Sequence, residues 1–303
     1  MGSLSRMTSR SAPFGRVLTA MVTPFTPAGE LDLDRAASLA GSLVDQGNDG
    51  LVVSGTTGEA ATTSDVEKDA LLRAVVEAVG DRACVLAGVG TYDTRHSVER
   101  AGAAEKAGAA GLLVVTPYYT RPPQAGIIAH VEQVASSTDL PVMLYDIPVR
   151  TGTALTTATI LALGRHPNVV AVKDAKDDLG ATSAVLAQSD LAYYCGTDQL
   201  NLPLLAIGAV GMVSVVSHVV TPRLVELVQA YDSGDVTRAR ALHLQLQPLY
   251  TGMFRTQGVI LSKAALALTG APVGGVRLPL VDATDEQRAA LAQDLTAGGV
   301  ALA

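Results

Sequence analysis

The chain has 303 residues, 48% of them hydrophobic, and its 22 basic and 29 acidic residues give a net charge of -7. This composition supports a large buried core. No lysine and arginine cluster forms a stripe that could neutralise a phosphate backbone, which excludes nucleic acid as a partner. The longest apolar stretch, residues 202–220, is interrupted by proline, glycine and polar residues, so it predicts a buried helix and a buried strand rather than a membrane span.

The N-terminal residues and the two cysteines set the expected boundary and compartment. Residues 1–13 predict a disordered tail. Cys84 and Cys195 lie far apart in apolar runs, without a CxxC or Cys/His ligand spacing. We therefore expect buried, reduced thiols, no metal site and a cytoplasmic protein.

Short runs rich in Val, Leu and Ile recur along residues 14–232, each followed by a polar loop and an amphipathic segment long enough for a helix. The runs are Val17 to Val22, Gly50 to Val53, Cys84 to Gly88, Gly111 to Val115, Val142 to Tyr145, Val169 to Val172, Ala192 to Cys195 and Gly211 to Val216. Eight such βα units predict an α/β fold, a closed (β/α)8 TIM barrel. A doubly wound open sheet shares the rhythm, but Gly88-Val89-Gly90 lacks the third glycine of its nucleotide-binding fingerprint.

The pattern changes after residue 232. Residues 235–250, 260–268 and 285–295 have helical periodicity without a strand between them. They predict a C-terminal helical region, residues 233–303, packed beside a catalytic barrel of residues 14–232.

Reacting groups in such barrels lie at the C-terminal ends of the strands. After the second run, residues 54–59 read SGTTGE, which places two hydroxyls, Thr56 and Thr57, between glycines. Backbone N–H groups and hydroxyls in such a segment are suited to hold a carboxylate or a phosphate. The alternative is a tight turn with local Ser/Thr capping.

The sixth run is followed by Lys173, one of five lysines against seventeen arginines. Burying an ammonium is costly unless it is paired, and desolvation favours the neutral amine, which attacks carbonyl carbons. The alternative is a structural lysine paired with Asp174 or Asp177. We take Lys173 as the candidate nucleophile of a Schiff-base enzyme.

Hydroxyl groups follow or end two more runs. Tyr145 ends the fifth run, and residues 116–119, TPYY, follow the fourth. A tyrosine alone is more typical of strand packing than of catalysis, but Schiff-base chemistry needs proton transfers that phenols near one lysine can supply. Arg150, in the loop after Tyr145, offers a bidentate fork for a substrate carboxylate, unless it is a surface arginine without a role.

Four segments together resemble the dihydrodipicolinate synthase family, and its actinobacterial members most. They are Gly55–Glu59, Thr116–Tyr119, Tyr145–Gly152 and Val172–Ala175, and the similarity extends from about Val17 to the end of the chain. The resemblance implies a Schiff-base aldolase that condenses pyruvate with L-aspartate-4-semialdehyde to 4-hydroxy-tetrahydrodipicolinate, in diaminopimelate and lysine biosynthesis. It also implies a homotetramer, a dimer of tight dimers, that needs no cofactor.

The resemblance further implies four catalytic residues. Lys173 is expected to form the imine with pyruvate, and Tyr145 to relay protons. Thr56 is expected to link Tyr145 to Tyr119, which in this family reaches in from the neighbouring subunit.

Five residues are expected to bind substrate. Thr57 would hold the pyruvate carboxylate with its N–H and hydroxyl, and Arg150 would receive the carboxylate of the semialdehyde. Gly196, Asp198 and the backbone of Val213 would line the pocket.

Two positions depart from the family's pattern: Thr197 stands where an acid is common, and Val149 stands where a small or polar residue commonly precedes the arginine. Two alternative functions stay open. One is an N-acetylneuraminate lyase or a 2-keto-3-deoxy-sugar-acid aldolase, although these relatives generally lack an arginine matching Arg150. The other is a catalytically silent binding protein, which would lose Lys173 or its hydroxyl partners.

Lysine-inhibited relatives bind lysine at the tight dimer interface, commonly through an asparagine and a glutamate. The matching positions here carry Tyr92, His96 and Lys68, although Tyr118 is kept. Lys68 and a protonated His96 would repel an ammonium group, unless Asp65 or Glu67 supplied an anionic partner. We expect inhibition by lysine to be weak or absent.

Overall fold

The computed structural model describes residues 11–303, in which strands and helices alternate as the sequence predicts. Residues 1–10 of the predicted tail lie outside the described residues. The strands are β1 (Val17–Ala20), β2 (Gly50–Val53), β3 (Cys84–Gly88), β4 (Gly111–Val115), β5 (Val142–Asp146), β6 (Val169–Asp174), β7 (Ala192–Cys195) and β8 (Gly211–Ser214). Each strand pairs in parallel with the next, and β1 pairs with β8. The predicted barrel is confirmed, and the open sheet is wrong.

Helices cover the outside of the barrel and bury one apolar face against it. They are α1 (Leu33–Asp45), α2 (Asp65–Val79), α3 (Thr94–Lys106), α4 (Gln124–Ala135), α5 (Pro148–Thr151), α6 (Thr157–Leu163), α7 (Leu179–Leu186), α8 (Asn201–Ala206) and α9 (Ser217–Asp232). At the start of α2 the Ser64 hydroxyl accepts from the Glu67 N–H, and the Glu67 carboxylate accepts from the Ser64 N–H. This capping box fixes the point at which the chain leaves the β2 loop for α2.

β1 and β8 each end two residues before the predicted end. In both cases a buried side chain accepts hydrogen bonds from backbone N–H groups one or two residues beyond the strand. His218 Nε2 accepts from the Val22 N–H at 3.1 Å, and the Asp198 carboxylate accepts from the N–H groups of Val215 and Val216 at 2.9 and 3.1 Å. Since these N–H groups are satisfied by side chains, the sheet ladder stops and the chain turns outward at the barrel mouth.

Four further helices follow the barrel: α10 (Val236–Gln245), α11 (Gln247–Gly252), α12 (Gly258–Leu268) and α13 (Asp285–Ala297). The helix predicted over residues 235–250 is two helices, because Pro248 lacks an N–H to continue the ladder and instead occupies the first turn of α11. Leu242 and Leu249 from this region belong to the same buried core as the barrel. Among residues 11–303, no helix is long and apolar enough to cross a membrane.

His218 is expected to make stability depend on pH. It is 3% exposed, and burial lowers its pKa from 6.5 to about 4, although its contact with the Val215 carbonyl opposes the shift. Between these values the unfolded chain binds a proton that the folded chain does not, so the free energy of unfolding falls as pH falls from 6.5 to 4, by about 3 kcal/mol. The free energy of unfolding, measured with a denaturant at pH 7 and at pH 4.5, should fall less between the two pH values in His218→Gln than in the original protein. Equal losses in both proteins would contradict this role.

Candidate active site

Lys173 and Tyr145 meet at the C-terminal end of the barrel. They are Cα partners in the parallel register of β5 with β6, and paired residues of neighbouring strands point to the same face of a sheet. Each is 5% exposed, and Lys173 Nζ lies 4.2 Å from the centroid of the Tyr145 ring. The amine and the phenol therefore share one buried position at the barrel mouth.

The amine of Lys173 is not committed to a structural partner. Within residues 11–303, its Nζ makes no hydrogen bond or ion pair. The predicted alternative was pairing with Asp174 or Asp177, but the Asp174 carboxylate instead accepts from the Thr182 hydroxyl and, at 2.9 Å, from the Lys176 N–H. The geometry leaves Lys173 available to a ligand.

The other two lysines near the mouth are engaged. Lys176 Nζ donates to the Leu155 carbonyl at 3.1 Å and lies 3.8 Å from Asp146 Oδ2. Lys263 Nζ lies 2.7 Å from Glu59 Oε1. Neither amine is free to attack a carbonyl carbon. Both lysines are therefore structural, unlike Lys173.

Gly196 packs closely against the Lys173 side chain. A Cβ at this position would lie 3.1 Å from both Cγ and Cε of Lys173 and 2.9 Å from the Asp174 carbonyl oxygen. Any side chain would therefore displace the lysine stem. The expected contribution of Gly196 to the pocket stays a prediction. The space that a glycine leaves for the Lys173 side chain is a physical reason for glycine at this position.

Asp198 is 3% exposed and its carboxylate is occupied by donors of the protein itself. Besides the two N–H groups beyond β8, it accepts from the Ser214 hydroxyl at 2.5 Å and from the Asn201 amide at 3.2 Å. These bonds hold the end of β8, in which the buried Val213 lies. Asp198 thus shapes the pocket through β8, and direct lining by Asp198 and Val213 stays a prediction.

The segment from Ser54 to Glu59 forms a tight loop above β2. Ser54 and Glu59 both have a φ of 54°, in the left-handed region that side chains rarely adopt. Inside the loop the Glu59 N–H donates to the Thr56 carbonyl at 3.2 Å. Thr56 is exposed and Thr57 is half-buried, and within residues 11–303 neither hydroxyl makes a hydrogen bond.

Tyr119 lies outside the cluster formed by Lys173 and Tyr145. It is 90% exposed and has a φ of 70°, a costly conformation for an aromatic residue. In the described part of the chain, no hydrogen bond joins Thr56 to Tyr145 or Tyr119. One protomer does not assemble the expected relay, which stays a prediction.

Arg150 is exposed on α5, and its Nη1 donates to Gln257 Oε1 at 2.7 Å. Behind this loop Asp146 is 2% exposed and accepts from the Leu155 N–H at 3.1 Å. Burial raises the pKa of Asp146 to about 6, opposed by that N–H and by Lys176. The sequence analysis did not single out Asp146 or Gln257 as residues near the site. The position of Asp146 directly after Tyr145 was a signal for it, whereas nothing in the sequence links Gln257 to Arg150.

The sequence is similar to that of known proteins over nearly its full length. The model of the Dihydrodipicolinate synthetase family matches residues 13–298. A 4-hydroxy-tetrahydrodipicolinate synthase from Acidothermus cellulolyticus is 66% identical over 290 residues, which are 96% of this chain and 94% of the relative. A second protein of that name, from Streptomyces coelicolor, is 61% identical over 290 residues, 96% of this chain and 97% of the relative.

Solved structures agree with the sequence comparison. The chain is similar to the crystal structure of DHDPS from Cyanidioschyzon merolae with lysine bound, at a TM-score of 0.94 and 41% identity. The alignment covers 96% of this chain and 100% of the other. The fold and the sequence therefore point to the same family.

Proposed function

The chain belongs to the dihydrodipicolinate synthetase family, and from this premise we propose that Lys173 is the amine on which it condenses pyruvate with L-aspartate-4-semialdehyde. The observation that carries the proposal is the buried Nζ beside Tyr145, without a hydrogen-bond or ion-pair partner in residues 11–303. The expected alternatives, a sugar-acid aldolase or a silent binding protein, are not favoured, because the curated relatives carry the synthase name.

The chemistry follows from an amine and a phenol in one pocket. The neutral amine of Lys173 adds to the keto carbon of pyruvate, and loss of water from the carbinolamine gives the imine. Loss of a proton from the methyl carbon gives an enamine, which forms the new carbon–carbon bond to the aldehyde of the second substrate. The substrate's own amino group then displaces Lys173 from the imine carbon and closes the ring. Tyr145 is placed to move the protons between these stages.

The substrate carboxylates are assigned to two different loops. The half-buried Thr57 offers its N–H and hydroxyl to the pyruvate carboxylate, at the end of β2. Arg150, exposed on α5, offers its guanidinium to the carboxylate of the semialdehyde. These roles follow from the family resemblance and from the position of both residues at the C-terminal ends of the strands.

We also propose the homotetramer, built from tight dimers in which Tyr119 completes the site of a neighbouring subunit. Support comes from large exposed side chains in the segments that follow β2, β3, β4 and β5: Val66, Tyr92, Tyr119 and Val149 are 79%, 59%, 90% and 86% exposed. Residues 14–232 would carry the chemistry and residues 233–303 would support it. The two free thiols, Cys84 and Cys195, fit the proposed cytoplasmic location.

Covalent catalysis can be tested by trapping. Borohydride added together with pyruvate should leave a reduced adduct on Lys173, located by peptide mass, because an imine is reduced to a stable secondary amine. Lys173→Arg keeps the charge and the stem but should give no adduct, while Lys176 and Lys263 remain present as internal controls. An adduct on either of those lysines, or none at all, would refute the assignment.

Arg150→Ala should separate the two substrates. Loss of a charge-assisted bidentate contact predicts a fall of about 30- to 1,000-fold in kcat/KM for the semialdehyde. Trapping of pyruvate on Lys173 should be unchanged, because the arginine meets only the second carboxylate. Arg95→Ala, which removes an exposed arginine on α3, is the control. Equal damage to imine formation would contradict the role.

The charges near the predicted lysine site are already paired. His96 Nε2 lies 2.7 Å from Asp65 Oδ2, and Lys68 Nζ lies 3.5 Å from Asp65 Oδ1. The Glu67 carboxylate is held by Arg277 at 2.5 Å. Asp65 and Glu67, the two acids considered as partners for an ammonium ligand, thus already pair with the protein's own cations, which supports weak or absent inhibition.

Titration of L-lysine into an assay with both substrates tests this expectation. Half-inhibition should require well above about 1 mM lysine, which corresponds to binding weaker than roughly -4 kcal/mol, because a ligand ammonium must compete with His96 and Lys68 for Asp65. Half-inhibition well below about 1 mM lysine would contradict the expectation and show that the paired acids can still bind the ligand.

A further inference from the structure

A buried ion pair joins Glu59, at the end of the Ser54–Glu59 loop, to a lysine outside the barrel. Glu59 Oε1 lies 2.7 Å from the Nζ of Lys263, a residue of α12 in the C-terminal helical region. Each of the two residues is 4% exposed. Lys263 Nζ also donates to the Gly275 carbonyl at 2.6 Å. The carboxylate that closes the loop is therefore tied to a helix that follows the whole barrel in sequence.

The second oxygen of Glu59 is held from the same region. Glu59 Oε2 accepts from the Arg277 N–H at 2.9 Å, and the Arg277 guanidinium donates to the Thr62 carbonyl at 3.0 Å, just beyond the loop. The Phe25 ring completes the cluster, since its centroid lies 4.2 Å from Lys263 Nζ and 4.1 Å from Arg277 Cζ. Both cations gain from the face of this ring.

The loop needs such support because its backbone is unfavourable at both ends. The φ of 54° at Ser54 and at Glu59 persists only where surrounding contacts enforce it. The Glu59 N–H donates to the Thr56 carbonyl at 3.2 Å, and the Thr23 hydroxyl donates to the Gly58 carbonyl at 2.6 Å. A movement of Glu59 would therefore also move Thr56 and Thr57.

Stability alone does not account for the pair. Buried ion pairs contribute little net stability compared with apolar residues of similar volume, because both charges lose their hydration. A carboxylate fixed by an ion pair at one oxygen and a hydrogen bond at the other does, however, hold the backbone around it in place. The residue that it positions is adjacent to the hydroxyls expected to meet substrate.

We propose that Glu59 and Lys263 are positioning residues for pyruvate, and that their ion pair holds the Thr56–Thr57 segment in the geometry that receives the substrate carboxylate. The inference rests on the proposed function, because it takes Thr57 as the carboxylate-binding residue. It assigns the C-terminal helical region a part in substrate binding, through α12, without any contact to substrate.

The test compares Glu59→Gln, Lys263→Met and the double variant in the full chain. Each single variant leaves one buried charge unpaired, whereas the double variant leaves none and should unfold at a temperature closer to that of the original protein. Lys263→Arg keeps a cation for Glu59. Asp232→Asn breaks the Arg16–Asp232 ion pair at the opposite end of the barrel and serves as the control for loss of an ion pair.

The expected result is a split between the substrates. In the double variant, KM for pyruvate should rise about tenfold or more, because the carboxylate-binding groups are misplaced, while KM for the semialdehyde stays within about twofold. Lys263→Arg should recover most of the pyruvate affinity. Trapping on Lys173 should need more pyruvate but reach completion at saturation.

Three outcomes decide the matter. A double variant with unchanged KM for pyruvate would overturn this inference alone, since the pair would then serve stability only. The same would follow if Asp232→Asn raised KM for pyruvate as much as the double variant does. Failure of the original protein to trap pyruvate on Lys173 would instead refute the proposed function, and this inference with it.

Discussion

The parallel pairing of β5 with β6 is the constraint on which the site depends. In this register Tyr145 lies opposite Lys173, and Asp146 lies opposite Asp174. Because successive side chains alternate between the two faces of a sheet, the phenol and the amine enter the barrel mouth while the two carboxylates face the surrounding helices. A slip of one residue would exchange the faces and leave carboxylates where a carboxylate substrate must bind.

The charges around the barrel mouth are arranged by the separation of the carboxylates from the amine and the phenol on opposite faces of β5 and β6. The carboxylates behind the strands capture Lys176 and the Thr182 hydroxyl, and Glu59 captures Lys263. Lys176 and Lys263, the two other lysines near the mouth, are thus paired with carboxylates, as burial of a charge requires. Lys173 differs from both, because within residues 11–303 its amine makes no hydrogen bond or ion pair, and such a departure is expected where a protein binds or transforms a ligand.

The C-terminal helices complete loops that the barrel strands leave unsupported. Lys263 and Arg277 hold the loop after β2, and Gln257, just before α12, accepts a hydrogen bond from Arg150 in the loop after β5. Loops that carry binding groups need such fixed partners, because an isolated loop is too mobile to place a hydroxyl or a guanidinium accurately. The helical region thus reaches both expected carboxylate sites.

The sequence by itself determined the barrel, because its strands are buried on both faces and therefore appear as unbroken apolar runs. The runs for β2, β3, β4 and β7 have the same ends as the observed strands. Lys173 could be singled out since a charged residue directly after an apolar run is conspicuous. The family motifs then supplied the other expected site residues, whose roles stay predictions.

Only the tertiary structure decided which groups satisfy one another. His218 binds beyond the end of β1 and Lys263 pairs with Glu59 at the end of the β2 loop, each from about 200 residues away, and Asp198 binds beyond the end of β8 from the preceding βα loop. Local periodicity reports which face of an element is buried, but a hydrogen bond or ion pair between distant segments leaves no periodic trace. Such contacts are set by how the closed barrel brings its loops and the C-terminal helices together, and so they are read from the folded chain.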